Sequence, residues 1–280
     1  MKKATIIACT LLAAGAVCCF AAVGMGAVNG SWKEGMSSLR AVRYQEKAAD
    51  KALNEHMEIS HLILDIDNAE CVINADSDSC SLTGGKDVTW KLEGDTLTIQ
   101  QKQRGGWWWR SRSAPITLNI QDVAIAYLDM DIDAGTVDIS DLTVTQAVTC
   151  NVDAGAANLD NVNTNRLELD VDAGEITYSG RTLGPVKLEC DAGAIDLDLQ
   201  AGSSIGQVAG DIDAGEIEVK VNGTQVIKRD GLGGNTFSAQ LPGAVGNELL
   251  TFDCDVGSIS VDLTAKEQKS DTIDAKAEAS

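Results

Sequence analysis

One tripeptide constrains this chain more than any other feature. It occurs as Asp133-Ala134-Gly135, Asp153-Ala154-Gly155, Asp172-Ala173-Gly174, Asp191-Ala192-Gly193 and Asp213-Ala214-Gly215, with Asp255-Val256-Gly257 as an altered copy. The intervals are 20, 19, 19, 22 and then 42 residues. The last is about two periods, so a degenerate copy is expected around Gly233-Gly234. Asp67-Asn68-Ala69, followed by Cys71 and Ile73, is an early relative. Units of this length bury an apolar face only against their neighbours, so a repeat of this kind implies a stack.

Aligning the copies on the aspartate exposes the period within each unit. One residue before it stand Ile132, Val152, Val171, Cys190, Ile212 and Cys254; five before stand Leu128, Val148, Leu167, Val186, Val208 and Leu250. Four after come Val137, Ala157, Ile176, Ile195, Ile217 and Ile259. Apolar residues at every second position predict strands with one buried face. The alternating positions (Asp129, Asp131, Glu168, Asp170, Glu189, Asp211 and Asp253 among them) must then face water.

Between two such strands Asp-Ala-Gly reads as a corner. The aspartate is expected to cap nearby N–H groups as an Asx turn, and the glycine to supply a positive φ. The expected fold is all-β: a β-solenoid of stacked parallel coils of about 20 residues, seven to nine of them, over residues 58–262. A twisted antiparallel sandwich is the alternative, and near-equal periods without strong hairpin turns favour coils.

The N-terminus begins Met1-Lys2-Lys3 and continues into an uncharged, mostly apolar run at residues 4–28. That run is long enough to cross a hydrocarbon core of ~30 Å as a transmembrane helix. The lysines place its start in the cytoplasm. A cleaved signal peptide is the competing reading, and both export the remainder. The expected location is therefore the cytoplasmic membrane, single-pass, with the C-terminal domain extracytoplasmic. Residues 29–57 read as a polar stalk with a short helix from Ser37 to Met57, and residues 263–280 as a disordered tail.

Eight cysteines are present. Cys9, Cys18 and Cys19 fall in the apolar run. Most of the other five occupy predicted core positions, where a thiol behaves as a small hydrophobe. The net charge of −20 argues against nucleic acid as a partner. The local exception is Gly105-Gly106-Trp107-Trp108-Trp109-Arg110-Ser111-Arg112, which reads either as a contact loop or as a cap folded over one end of the stack.

The sequence offers no catalytic constellation. His56 and His61 are five apart and do not form the helical zinc motif. Phosphate-loop, nucleophile-elbow and Cys-x-x-Cys patterns are absent. No cofactor is expected; calcium on stacked carboxylates is the one candidate, although the Gly-Gly-x-Gly-x-Asp nonapeptide is missing.

The order of parts is an N-terminal anchor, "LDIDNAECVI", a Trp-bearing loop, "APITLNIQD" and then serial Asp-Ala-Gly corners. In that order the chain resembles the bacterial "putative adhesin" family of β-strand-repeat surface proteins, a domain of unknown function. The resemblance covers roughly residues 60–262 and implies fold more than function. It implies a surface protein; together with the repeat and the N-terminal run, the expected function is a membrane-held, non-enzymatic binding or structural module with cell-wall glycan, a host surface or an envelope protein as partner. The alternative is an envelope-stress sensor that binds cationic peptides or a membrane partner.

Overall fold

The computed structural model describes residues 58–75, 77–102, 113–121, 124–230, 236–243 and 246–264, with the backbone of Lys51–Ala52. All of them belong to one compact unit, Lys47–Ser280. The N-terminal run at 4–28, the Trp107–Arg112 loop and residues 265–280 lie outside the described residues.

Among the described residues the alternation read from the sequence becomes eight coils of two strands each, joined by a tight corner in all but coil 2. In chain order they are coil 1 (His61–Ile66, Glu70–Asn74), coil 2 (Thr96–Gln101, Ile116–Asn119), coil 3 (Ala124–Ile132, Thr136–Ser140) and coil 4 (Thr143–Val152, Ala156–Asp160). Coil 5 (Asn163–Val171, Glu175–Gly180), coil 6 (Val186–Cys190, Ala194–Leu199), coil 7 (Ile205–Ile212, Glu216–Val221) and coil 8 (Glu248–Cys254, Ser258–Leu263) follow. The eight first strands with two added strands form a ten-stranded sheet, and the eight second strands with three added strands form an eleven-stranded one. Neighbouring coils pair in parallel on both sheets, which excludes the antiparallel sandwich.

The two inner faces meet in one core. Leu64, Leu128, Leu167, Leu169, Ile176, Leu188 and Leu197 are fully buried in it. Each such side chain contributes about 2 kcal/mol of burial, an upper figure because the unfolded chain is partly collapsed. Coils of a single period cannot bury these faces alone, so the stack is the unit of stability.

The coils do not stack in the order of the chain. In space they run 2-1-3-4-5-6-8-7. The chain lays down coil 1, steps outward to coil 2, and returns past coil 1 to start coil 3. The far end mirrors this: coil 7 goes outermost, and coil 8, the last in sequence, inserts between coils 6 and 7.

Each end is closed by antiparallel strands. Val88–Glu93 pairs with the first strand of coil 2 and Ser81–Thr83 with its second. Thr224–Asp230 and Phe237–Gln240 do the same for coil 7. The extra period around Gly233-Gly234 is therefore not a coil: the flanking segments form cap strands, and residues 231–235 lie outside the described residues. Lys91, Glu93, Lys228 and Arg229 place charges on the outer strands, which discourages further pairing at those edges. Gly210 stands where other coils carry a large inward residue, a Cβ there would meet the Phe252 side chain at 2.7 Å, and Phe237 is its partner on the cap strand. The Phe237 ring stacks on Phe252 at 6.1 Å, with the Arg229 guanidinium 5.7 Å above it.

Two boundaries shift. Lys51–Ala52 forms a strand against Ser81–Thr83, so the stalk helix expected through Met57 does not extend through those two residues. Leu263 is buried at the end of coil 8 and belongs to the stack instead of the tail.

Candidate functional site

The corners supply the most differentiated surface of the stack, and backbone hydrogen bonds fix them. At each one the Asp N–H donates to the preceding neighbour's last inward residue, as from Asp153 to Ile132 at 3.0 Å. The next N–H donates to the neighbour's corner aspartate carbonyl, as from Ala154 to Asp133 at 2.7 Å, and Ala156 donates to Gly135 at 2.9 Å. The ladder thus continues through the turn from coil to coil.

This arrangement corrects the expected role of both corner residues. None of the corner glycines has a positive φ; left-handed residues sit elsewhere, at Asp141, Asn161 and Asn222. The glycines are required by contact. A Cβ on Gly174 would stand 2.5 Å from the Gly155 carbonyl oxygen, and one on Gly193 would stand 2.5 Å from that of Gly174. Gly135, Gly155, Gly215 and Gly257 meet the same obstruction. The aspartate in turn is held through its main chain, and its carboxylate is exposed.

Because corners stack in register, their side chains form a column. In spatial order it runs Asp67, Asp133, Asp153, Asp172, Asp191, Asp255, Asp213. A second column lies two residues back on the outer face of the ten-stranded sheet: Asp65, Asp131, Asn151, Asp170, Glu189, Asp253, Asp211. Neighbouring parallel strands are ~4.8 Å apart, so thirteen carboxylates share one strip with like charges at each step.

Electrostatics follow from that geometry. Burial and then the charges of Asp65, Asp133 and Asp153 raise the Asp131 carboxyl above the ordinary aspartate range. Burial with Glu189, Asp172 and Asp191 raises Asp170, and burial with Asp255, Asp172 and Glu189 raises Asp191. Asp253 is raised by burial and by Asp255, Glu189, Asp211 and Asp191. Among the described residues two cations reach the strip. Lys102 Nζ lies 2.6 Å from Asp65 and 3.0 Å from Asp67, and Lys187 Nζ lies 2.7 Å from Glu189. Coulomb repulsion along the remainder is screened by solvent and salt.

Coil 2 ends the column without an Asp-Ala-Gly corner. In register with Ile66 it carries Gln101, buried, whose Oε1 accepts from the N–H groups of Asn68 at 2.9 Å and Ala69 at 3.2 Å. Its Nε2 donates to Asn68 Oδ1, Asp87 Oδ2 and Ser113 Oγ. The side chain replaces the missing corner and satisfies donors that would otherwise be orphaned.

Of the residues singled out by sequence, the corner Asp and Gly pairs are brought together into one strip, whereas Trp107, Trp108, Trp109, Arg110 and Arg112 lie outside the described residues. The second column and Lys102 were not singled out. Their signal was the polar half of the alternation, which names outward positions without saying which of them share a row. Among the described residues no three His, Cys, Asp or Glu side chains converge to hold a metal ion. Nor is any helix there long and apolar enough to cross a membrane. His61 Nε2 meets Asp129 Oδ2 at 2.6 Å on the outer face of the ten-stranded sheet.

The model of one family, Toastrack DUF4097, matches residues 59–279. Similar solved structures include a "putative cell adhesion protein" from Clostridium sporogenes, 16% identical, covering 78% of this chain and 99% of that one, with a TM-score of 0.39. A "putative adhesin" from Parabacteroides distasonis is 14% identical, covers 78% and 97%, and has a TM-score of 0.32. A "putative lipid binding protein" from the same organism is 15% identical, with the same coverage and a TM-score of 0.32. No curated protein matches.

Proposed function

The chain belongs to the Toastrack DUF4097 family, and from that premise we propose that it is a non-catalytic binding and structural module held outside the cytoplasmic membrane by residues 4–28. It acts in adhesion or envelope contact, and the acidic corner strip is its contact surface. The observation that carries this reading is the in-register column of exposed corner carboxylates from Asp133 to Asp213. A rigid row of like charges favours an extended cationic partner, because each step of the partner meets the same spacing.

That same row supports a second reading, in which the ectodomain senses cationic peptides at the envelope and passes the signal to a membrane partner. Attraction of this kind raises association rates and weakens steeply with salt.

The test is a pull-down of residues 29–280 with intact cells, purified cell wall and lipid vesicles, run with a salt series. Two variants accompany it, Asp153→Asn/Asp172→Asn/Asp191→Asn and Trp107→Ala/Trp108→Ala/Trp109→Ala. Salt-sensitive binding lost in the aspartate variant supports the strip as the contact. Loss in the tryptophan variant alone moves the contact to the loop, and binding to none of the surfaces removes the adhesive reading.

A further inference from the structure

The stack contains five buried cysteines among the described residues, all of them free thiols. Two are strand partners. Cys190 ends the first strand of coil 6, Cys254 ends the first strand of coil 8, and the two are in register. Both point inward and both are buried. The strand partners of Cys71 and Cys150 are instead Ile116, Val137, Met130 and Leu169.

In-register partners on adjacent parallel strands have Cα atoms ~4.8 Å apart, inside the ~4.4–6.8 Å range that a disulfide spans. The Cys190 sulfur leans toward coil 8: a Cβ on Gly257 would stand 2.3 Å from it. The Cys254 sulfur leans onward to Gly215, at 2.6 Å by the same measure, so bonding requires one rotation about its Cα–Cβ bond. The two thiols share a hydrogen bond, which holds Cys190 below and Cys254 above the ordinary thiol range.

We infer that Cys190 and Cys254 form a redox latch that fastens the inserted coil 8 to coil 6. The location gives the bond its consequence. Coil 8 is the last coil of the sequence, yet it lies between coils 6 and 7, so its departure opens the stack on both of its faces. The chemistry is thiol–disulfide exchange with a small-molecule disulfide as oxidant. The Cys190 thiolate attacks that disulfide and releases one small thiol; the Cys254 thiolate then attacks the mixed disulfide at Cys190 and releases the second. Two thiols lose two protons and two electrons, and one small disulfide becomes two small thiols. Both sulfurs being buried, exchange proceeds when coil 8 opens locally or before it docks.

The experiment equilibrates the full-length chain in reduced-to-oxidised glutathione mixtures. It does so both in the folded state near the thermal midpoint and during refolding from urea. Free thiols are then alkylated in denaturant and the chain is digested with trypsin. Cys190 and Cys254 fall in separate peptides, 188–220 and 230–266, each holding one cysteine. The latch predicts one species joining them, lighter by two hydrogens than their sum. It also predicts a thermal midpoint about 5–10 °C higher than in reduced protein, a gain that Cys254→Ala and Cys190→Ala lack. Alkylation of both residues in oxidising buffer under both protocols, or linkage of either to another cysteine, overturns it.

Discussion

Gly174 lies against the main chain of Gly155 so closely that a Cβ there would stand 2.5 Å from its carbonyl oxygen. The same oxygen accepts the Glu175 N–H at 3.1 Å, so it cannot withdraw without loosening the ladder that joins two coils. Val152 Cγ1 closes the other side at 2.5 Å. The corner glycine is therefore selected by the approach of a neighbouring coil and not by its own backbone angles.

Gly174→Ala is expected to cost about 2–3 kcal/mol, as overpacking against an immobile wall does. Gly223 has a φ of +70° and nothing within 4 Å of a built Cβ. Gly223→Ala is expected to cost about 1 kcal/mol, through backbone strain alone. Urea unfolding of the two variants compares them; equal losses would mean that crowding is not what the corners demand.

Replacing Gln101 by leucine keeps its volume and removes its amide. The Asn68 and Ala69 N–H groups then lose their acceptor inside the end coil. A loss of about 2–4 kcal/mol is expected, with faster hydrogen exchange confined to coils 1 and 2. Exchange that stays slow at Asn68 and Ala69 would show that another group closes this end.

The strip carries a pH dependence whose sign follows from its raised carboxyls. Asp131, Asp170, Asp191 and Asp253 bind protons more tightly folded than unfolded. Their contribution to stability is therefore fully present below the ordinary aspartate value and is lost as pH rises through the raised one. Thermal midpoints should increase as pH falls through the raised carboxyl range toward the ordinary aspartate value, and also on adding salt at neutral pH. Asp170→Asn should flatten both responses. A midpoint that falls steadily with pH across that range would contradict the account.

Truncation distinguishes the interleaved order from a serial one. In a serial stack, removing residues 248–280 deletes an end coil and leaves a shorter fold. Here it removes the coil between coils 6 and 7, and cooperative unfolding should be lost. Calorimetry of that truncation would settle the order; a single sharp transition at a slightly lower temperature would favour serial stacking.

Much of this was legible in the sequence. Leu128, Met130 and Ile132 alternate with Asp129 and Asp131, which fixes both strand and face, and the interval between aspartates fixes the coil length. The order of coils was not legible, because Ile, Val and Leu faces of equal period fit one another in any sequence. Without that order, Asp191 and Asp255 could not be recognised as neighbours, nor Cys190 and Cys254 as partners. Glycine at the corners was visible, but the reason for it was not, since the obstructing carbonyl belongs to another coil. The cap strand Thr224–Asp230 was hidden by an expected repeat, although Lys228, Arg229 and Asp230 in succession suit an edge better than a core.

The most direct test of the strip as a contact surface is titration of the full-length chain with a fluorescent oligolysine, followed by anisotropy across a salt series. The account predicts binding that weakens continuously with salt and is largely abolished by Asp153→Asn/Asp172→Asn/Asp191→Asn, with an equal number of Asp→Asn changes on the eleven-stranded sheet (Asp138, Asp196, Asp262) having little effect. Binding that ignores salt, or that both triple variants weaken alike, would contradict it and leave net charge as the whole explanation.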